Sequence, residues 1–196
     1  MAGSLKAADP GLCNDQDAIL CLIDVQTRLL PALNEAQRGA LLRNCATLLQ
    51  AADQLAIPTI ITEHYPKGLG PTTPELLRLR PGVSEVISKT AFSAHGVADF
   101  DRLIAMSGRS QLILCGMETH VCVLQTALQA KAAGLDVFLA ADATCSRVEA
   151  NRDNALARLS RAGVHISCTE SVLFEWLGDA ERSEFRGLLE LIRPTG

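Results

Sequence analysis

The sequence predicts an α/β fold: a three-layer, doubly wound, mostly parallel six-stranded sheet with helices on both faces, in a single domain over 1–196. Three observations predict it. Six short runs are apolar throughout rather than alternating, which is the pattern of strands buried on both faces. Helical patterns separate most of these runs, and strand–helix alternation implies parallel strands joined by crossovers. The composition, 48% hydrophobic with 4% aromatic residues, supplies the Ala, Leu, Ile and Val of helices packed on a buried sheet. At 196 residues the chain also stays below the ~250–300 at which single cores stop growing.

In chain order, residues 1–16 are expected to form a flexible N-terminal segment. The strands are AILCLIDV (18–25), PTIIT (58–62), EVISK (85–89), QLILCG (111–116), DVFLAAD (136–142) and VHISCT (164–169). A helix over 40–56 stops before Ile57-Pro58, and another runs from Asp99 to about Gly108. Two more, over 121–134 and 149–163, end on Gly134 and Gly163 as left-handed caps. The stretch HYPKGLGPTTPELLRLRPG (64–82) is too rich in Pro and Gly for a simple crossover. Long loops of this kind act as lids or binding loops, or are plain solvated excursions.

Charge and motif content exclude several function classes. A net charge of −4 with no basic block gives nucleic-acid binding no electrostatic support. No run reaches the ~18–20 apolar residues that cross a bilayer, so no membrane association is expected. The first residues lack the apolar core of a signal peptide. Seven cysteines without a CxxC read as free thiols in a reducing compartment, by default the cytoplasm. The first strand is followed by QTRLLPAL rather than GxGxxG, and no GxxxxGK[ST] occurs, which argues against a nucleotide cofactor.

Ligands of open parallel sheets bind beyond the carboxyl ends of the strands. That rule brings to one rim Asp24, Glu63, His64, Lys89, the segment Gly116–Cys122, Asp142 and Cys145. With Thr119 as N-cap, Cys122 falls in the first turn of a helix, where unpaired N–H groups favour an anion. Such a position is expected to lower the thiol's pKa and favour the nucleophilic thiolate. A thiol also needs a base to take its proton and a cation nearby, which Asp24 and Lys89 supply. Each residue has a plainer reading: Cys122 as a small buried hydrophobe, Asp24 as a helix cap, Lys89 as a side chain reaching water. Cys145 is a second, weaker nucleophile candidate and a site for oxidation.

At these residues the chain resembles the isochorismatase-like cysteine hydrolase superfamily. The resemblance runs from Ala18 to about Leu177 through LCLIDVQ, SKTAFSA, CGMETHVCVLQTAL, AADATCSR and CTESVLFEWL, all in order. TEHYPKGLGPTTPEL and GMETHVCVLQT are most similar to the isochorismatase-domain branch of unsettled activity. The resemblance implies a triad of Asp24, Lys89 and Cys122 acting on a small amide or related C–N bond through a thioester acyl-enzyme. It implies a cis peptide at Met117–Glu118 and an oxyanion hole from the N–H groups of Glu118 and Cys122. It places Gln26 and Phe92 in the substrate pocket and implies a homo-oligomer, and His64, Tyr65 and Thr119 are expected as further pocket residues. The metal-dependent branch carries further histidines after its second strand. Here His64 stands alone beside Glu63, short of the three protein ligands a zinc site needs, so neither metal nor other cofactor is expected. The alternatives are a vestigial member acting as an interaction protein, and a thiol redox sensor forming a Cys122–Cys145 disulfide.

Overall fold

The computed structural model describes residues 11–193. The elements are β1 (Ala18–Ile23), α1 (Glu35–Gln54), β2 (Thr59–His64), α2 (Pro66–Leu69), α3 (Pro74–Leu77), β3 (Ser84–Lys89) and α4 (Ala98–Ser107). Then come β4 (Gln111–Met117), a π-helical turn (Thr119–Val123) running into α5 (Leu124–Ala132), β5 (Asp136–Cys145), α6 (Glu149–Arg161), β6 (His165–Ser167), α7 (Thr169–Leu177) and α8 (Phe185–Ile192). The six strands form one sheet in the order β3-β2-β1-β4-β5-β6. Every pairing is parallel.

Alternation along the strands divides the core. Leu20 and Leu22 of β1 face α1, α7 and α8, with Trp176 the largest side chain there. Ile19, Cys21 and Ile23 face α4, α5 and α6, against Phe100, Ala127 and Leu159. The predicted double burial holds for the central strands only. At the margins, Glu85 and Ser88 of β3 and Ile166 of β6 are exposed.

Several boundaries differ from the sequence reading. Helix α1 starts five residues before residue 40, because Asn34 and Gln37 form a reciprocal capping box. β5 continues to Cys145 through a register shift opposite Leu114/Gly116. The 64–82 stretch holds two short helices and an antiparallel bridge from Gln26 to Thr72. Residues 1–10 of the expected flexible segment lie outside the described residues. The remainder is not loose: Cys13 is buried, its N–H donates to Glu175 Oε2 at 2.9 Å, and Asp15 pairs with Arg182 at 2.9 Å.

The chain moves from β1 outward to β2 and β3, then crosses to β4 and moves outward the other way. β1 and β4 are therefore neighbours whose carboxyl ends diverge, the crevice in which open α/β sheets bind ligands. Gly116 permits their close approach. Its φ is +113°, and a Cβ there would collide with the Ile23 backbone. No described helix is long and apolar enough to cross a membrane.

Candidate active site

The crevice begins at Asp24. Strand β1 ends at Ile23, and Asp24 takes a φ of +49°, a left-handed conformation that Asp tolerates better than most residues. This turn breaks the strand's alternation and aims the carboxylate along the rim. Oδ1 accepts from Thr62 Oγ1 at 2.6 Å, and Oδ2 accepts from Lys89 Nζ at 2.6 Å. Neither charged side chain reaches solvent, with 0% of Lys89 and 1% of Asp24 accessible. Lys89 also donates to the Ala91 and Phe92 carbonyls at 3.3 and 3.0 Å, so the three donors of its ammonium are all engaged. The plainer readings, a cap and a water-reaching lysine, do not describe this buried pair.

Cys122 lies beside the pair and shares a small pocket with Asp24. The Met117–Glu118 peptide is cis, and the chain then enters the π-helical turn that carries the thiol. Such turns recur at functional sites. Thr126 Oγ1 donates to the Cys122 carbonyl at 2.7 Å and accepts the Ala94 N–H at 2.9 Å. One hydroxyl therefore ties the cysteine's turn to the loop that holds Lys89.

The expected lowering of the thiol's pKa is reversed. Burial pushes Cys122 up to about 12, the Asp24 charge raises it further, and Lys89 offsets part of this. The sequence argument counted the helix tip and the ammonium but not the loss of water, which outweighs both. Cys145 is likewise pushed up to about 12 by burial and the Glu118 charge.

A half-open pocket of about 90 Å³ is lined by Asp24, Leu29, His64, Leu69, Phe92, Met117, Glu118, Val121 and Cys122. Among the predicted pocket residues, His64 and Phe92 line it, with rings 5.3 Å apart. Gln26 is not a pocket residue. It is fully buried, accepts the His64 N–H at 2.8 Å and donates to the carbonyls of His64 and Gly70, clamping the 64–82 stretch onto β1. Tyr65 is 54% exposed and lines a separate surface hollow with Lys67 and Ser88. Thr119 lies inside the turn rather than capping it, buried with its hydroxyl unpartnered, and Glu118 occupies the cap position. The Glu118 carboxylate is held by Arg147 Nε at 3.0 Å. Cys145 lies in the core on the opposite face of the sheet from Cys122, beside a different cavity with Asp142 and Arg152. All seven cysteines are free. Among the described residues no three His, Cys, Asp or Glu side chains converge as a metal site.

The sequence reading missed Thr62, Leu29 and Leu69, and it named Met117 and the Gly116–Cys122 segment without assigning Met117 or Val121 to the pocket wall. Thr62 carried a signal, since it ends the predicted second strand beside Asp24 on the same rim. The apolar wall carried none, because Leu and Val at these positions look like any core residue.

Comparison with known proteins finds relatives along most of the chain. Residues 18–171 match the isochorismatase domain. The chain is 38% identical to isochorismatase domain-containing protein 2 of Danio rerio over 184 residues, 93% of this chain and 90% of that one. The fold superposes on the Mar1 ribonuclease of Caenorhabditis elegans with a TM-score of 0.87, at 30% identity over 92% of each chain. It superposes on the Escherichia coli YcaC gene product, an octameric hydrolase of unknown specificity, with a TM-score of 0.83. That match has 31% identity over 92% of this chain and 88% of that one.

Proposed function

This chain belongs to the isochorismatase-domain family, and from that premise we propose that it hydrolyses a small amide or related C–N bond through a thioester on Cys122. One observation carries the reading: a fully buried Asp24–Lys89 pair whose carboxylate shares a half-open pocket with the Cys122 thiol. Burying an ion pair is seldom worth its desolvation for stability alone, so its position beside a nucleophile calls for a chemical reason.

The thiol is protonated at rest, since ionising a group of pKa about 12 at pH 7 costs about 7 kcal/mol. The proton therefore passes to Asp24 as the C–S bond forms, in general-base catalysis rather than attack by a stored thiolate. The oxyanion takes hydrogen bonds from the Glu118 and Cys122 N–H groups, about 3–4 kcal/mol for each donor. Collapse breaks the C–N bond while Asp24 returns the proton to the leaving amine. Water then attacks the thioester, gives a proton through Asp24 to the departing sulfur and releases the acid. Lys89, its donors occupied, holds the carboxylate in place throughout.

Ammonia release from a panel of small amides tests this reading. Cys122→Ala is expected to abolish turnover, and undiminished turnover in that variant removes the cysteine from the reaction. The raised thiol pKa favours a second reading, an interaction protein with a vestigial site. Mass spectrometry of protein acid-quenched during incubation with the amides separates the two: an acyl adduct on Cys122 supports the enzyme, and an unmodified thiol supports the binder. A direct Cys122–Cys145 disulfide has little support, because the two thiols are buried against opposite faces of the sheet.

A ribonuclease role also has little support here, because a net charge of −4 and a cavity of about 90 Å³ suit neither a polyanion nor a nucleotide. The proposed setting is the cytoplasm, consistent with seven unpaired cysteines. Self-association is proposed on the precedent of the octameric neighbour.

A further inference from the structure

We propose that the Cys122 pocket selects uncharged amides with a short aliphatic acyl group, and that Leu29 and Leu69 set the upper limit of size. The catalytic part of this inference rests on the hydrolase reading, whereas the pocket's limits rest on its walls.

The first argument is volume. An apolar cavity of about 150 Å³ accepts benzene. The half-open pocket beside Cys122 measures about 90 Å³, below that figure and enough for a branched group of three or four carbons, so a larger acyl group must press on the side chains at its mouth.

The second argument is rigidity. Leu29 and Leu69 line the same pocket as the thiol, on two segments bound to each other. Thr27 N–H donates to the Pro71 carbonyl at 3.0 Å, and Arg28 N–H donates to the Leu69 carbonyl at 3.1 Å. Arg28 Nη1 reaches the Gly68 carbonyl at 2.8 Å, and the Gln26 amide holds the Gly70 carbonyl at 2.6 Å. A wall fixed at four points does not retreat for a larger guest.

The third argument is charge. Leu29, Leu69, Phe92, Met117 and Val121 make most of the lining. The two carboxylates at the cavity are already matched, Asp24 by Lys89 and Glu118 by Arg147. Lys89 has no donor left for a substrate carboxylate. A charged acyl group would lose its water here with no fixed counter-charge, facing only the unpartnered Nδ1 of His64 beyond the matched carboxylates.

The test has two independent readouts. Ammonia release is measured with isobutyramide, benzamide, the monoamide of succinic acid and β-alaninamide. Wild type is expected to favour isobutyramide over each of the others by roughly tenfold or more. Leu69→Ala is expected to gain benzamide turnover, with Leu29→Ala as the second variant should the first misfold. Alkylation of Cys122 is then compared for iodoacetamide and iodoacetate, each relative to its rate with N-acetylcysteine. The neutral reagent is expected to lead by roughly tenfold.

Comparable turnover of benzamide or of either charged amide overturns the proposed selectivity and leaves the hydrolase reading intact. Equal relative alkylation by the two reagents also overturns it. Absence of turnover with every amide, together with a preserved preference for iodoacetamide, removes the hydrolase reading and sustains the pocket's selectivity.

Discussion

Asp24 and Lys89 are residues whose contributions to stability and to chemistry separate by experiment. Both side chains are withdrawn from water, and each is the other's counter-charge. Removing one member leaves a buried charge uncompensated, at a cost of about 3–5 kcal/mol. Asn tolerates the positive φ at position 24, so Asp24→Asn changes the charge without adding backbone strain. Urea unfolding is expected to show losses of about that size for Asp24→Asn and for Lys89→Met, and a double-variant loss well below their sum. All three are expected to lack turnover. Strict additivity would mean that the two groups do not act as a pair.

At the scale of elements, the junction of β1 and β4 is the constrained point. Gly116→Ala adds a methyl group against the Ile23 backbone at a φ of +113°, so strain and overlap act together. A loss of about 3 kcal/mol is expected by thermal unfolding. Gly134 has a φ of +96° with nothing within 4 Å of an added Cβ, so Gly134→Ala is expected to lose only about 1–2 kcal/mol. Equal losses would assign the whole effect to backbone conformation.

The same junction marks what the sequence made legible. Central strands announce themselves, because burial on both faces leaves continuous apolar runs such as ILCLI and LILC. The rim rule then finds Asp24, Lys89 and Cys122 without any contact map. Edge strand β6 shrank to three residues, and α8 went unseen. Local pattern is weakest where packing covers only one side. The state of the thiol was illegible for a different reason. Desolvation depends on what closes over the sulfur, and Leu29, Leu69 and Phe92 arrive there from distant segments.

Across the whole molecule, buried thiols set the response to alkali. Cys13, Cys21, Cys115, Cys122 and Cys145 are all held above the ordinary thiol range, with burial the leading cause except at Cys115, where a hydrogen bond with Cys45 comes first. Below pH 9 these thiols are protonated whether the chain is folded or not, and they add no pH dependence. Above pH 9 the unfolded chain releases their protons while the folded one keeps them until about pH 12. The folded state then binds more protons, so stability falls as pH rises, by up to about 1.4 kcal/mol per pH unit for each thiol. Urea midpoints are expected to be level between pH 7 and 8.5 and to drop steeply from 9 to 10.5. A midpoint unchanged at pH 10.5 would contradict the burial of these groups.

Lys89 hangs from β3, the outermost strand, whose far edge pairs with no other strand among the described residues. The centre is thus shielded on that flank by a single ribbon of backbone, whose ladder to β2 is its only anchorage in the sheet. Fraying of this margin, far short of global denaturation, withdraws the ammonium and lets Asp24 drift. Loosening of the outermost ribbon is therefore expected to undo the Asp24–Lys89 pair before the core gives way.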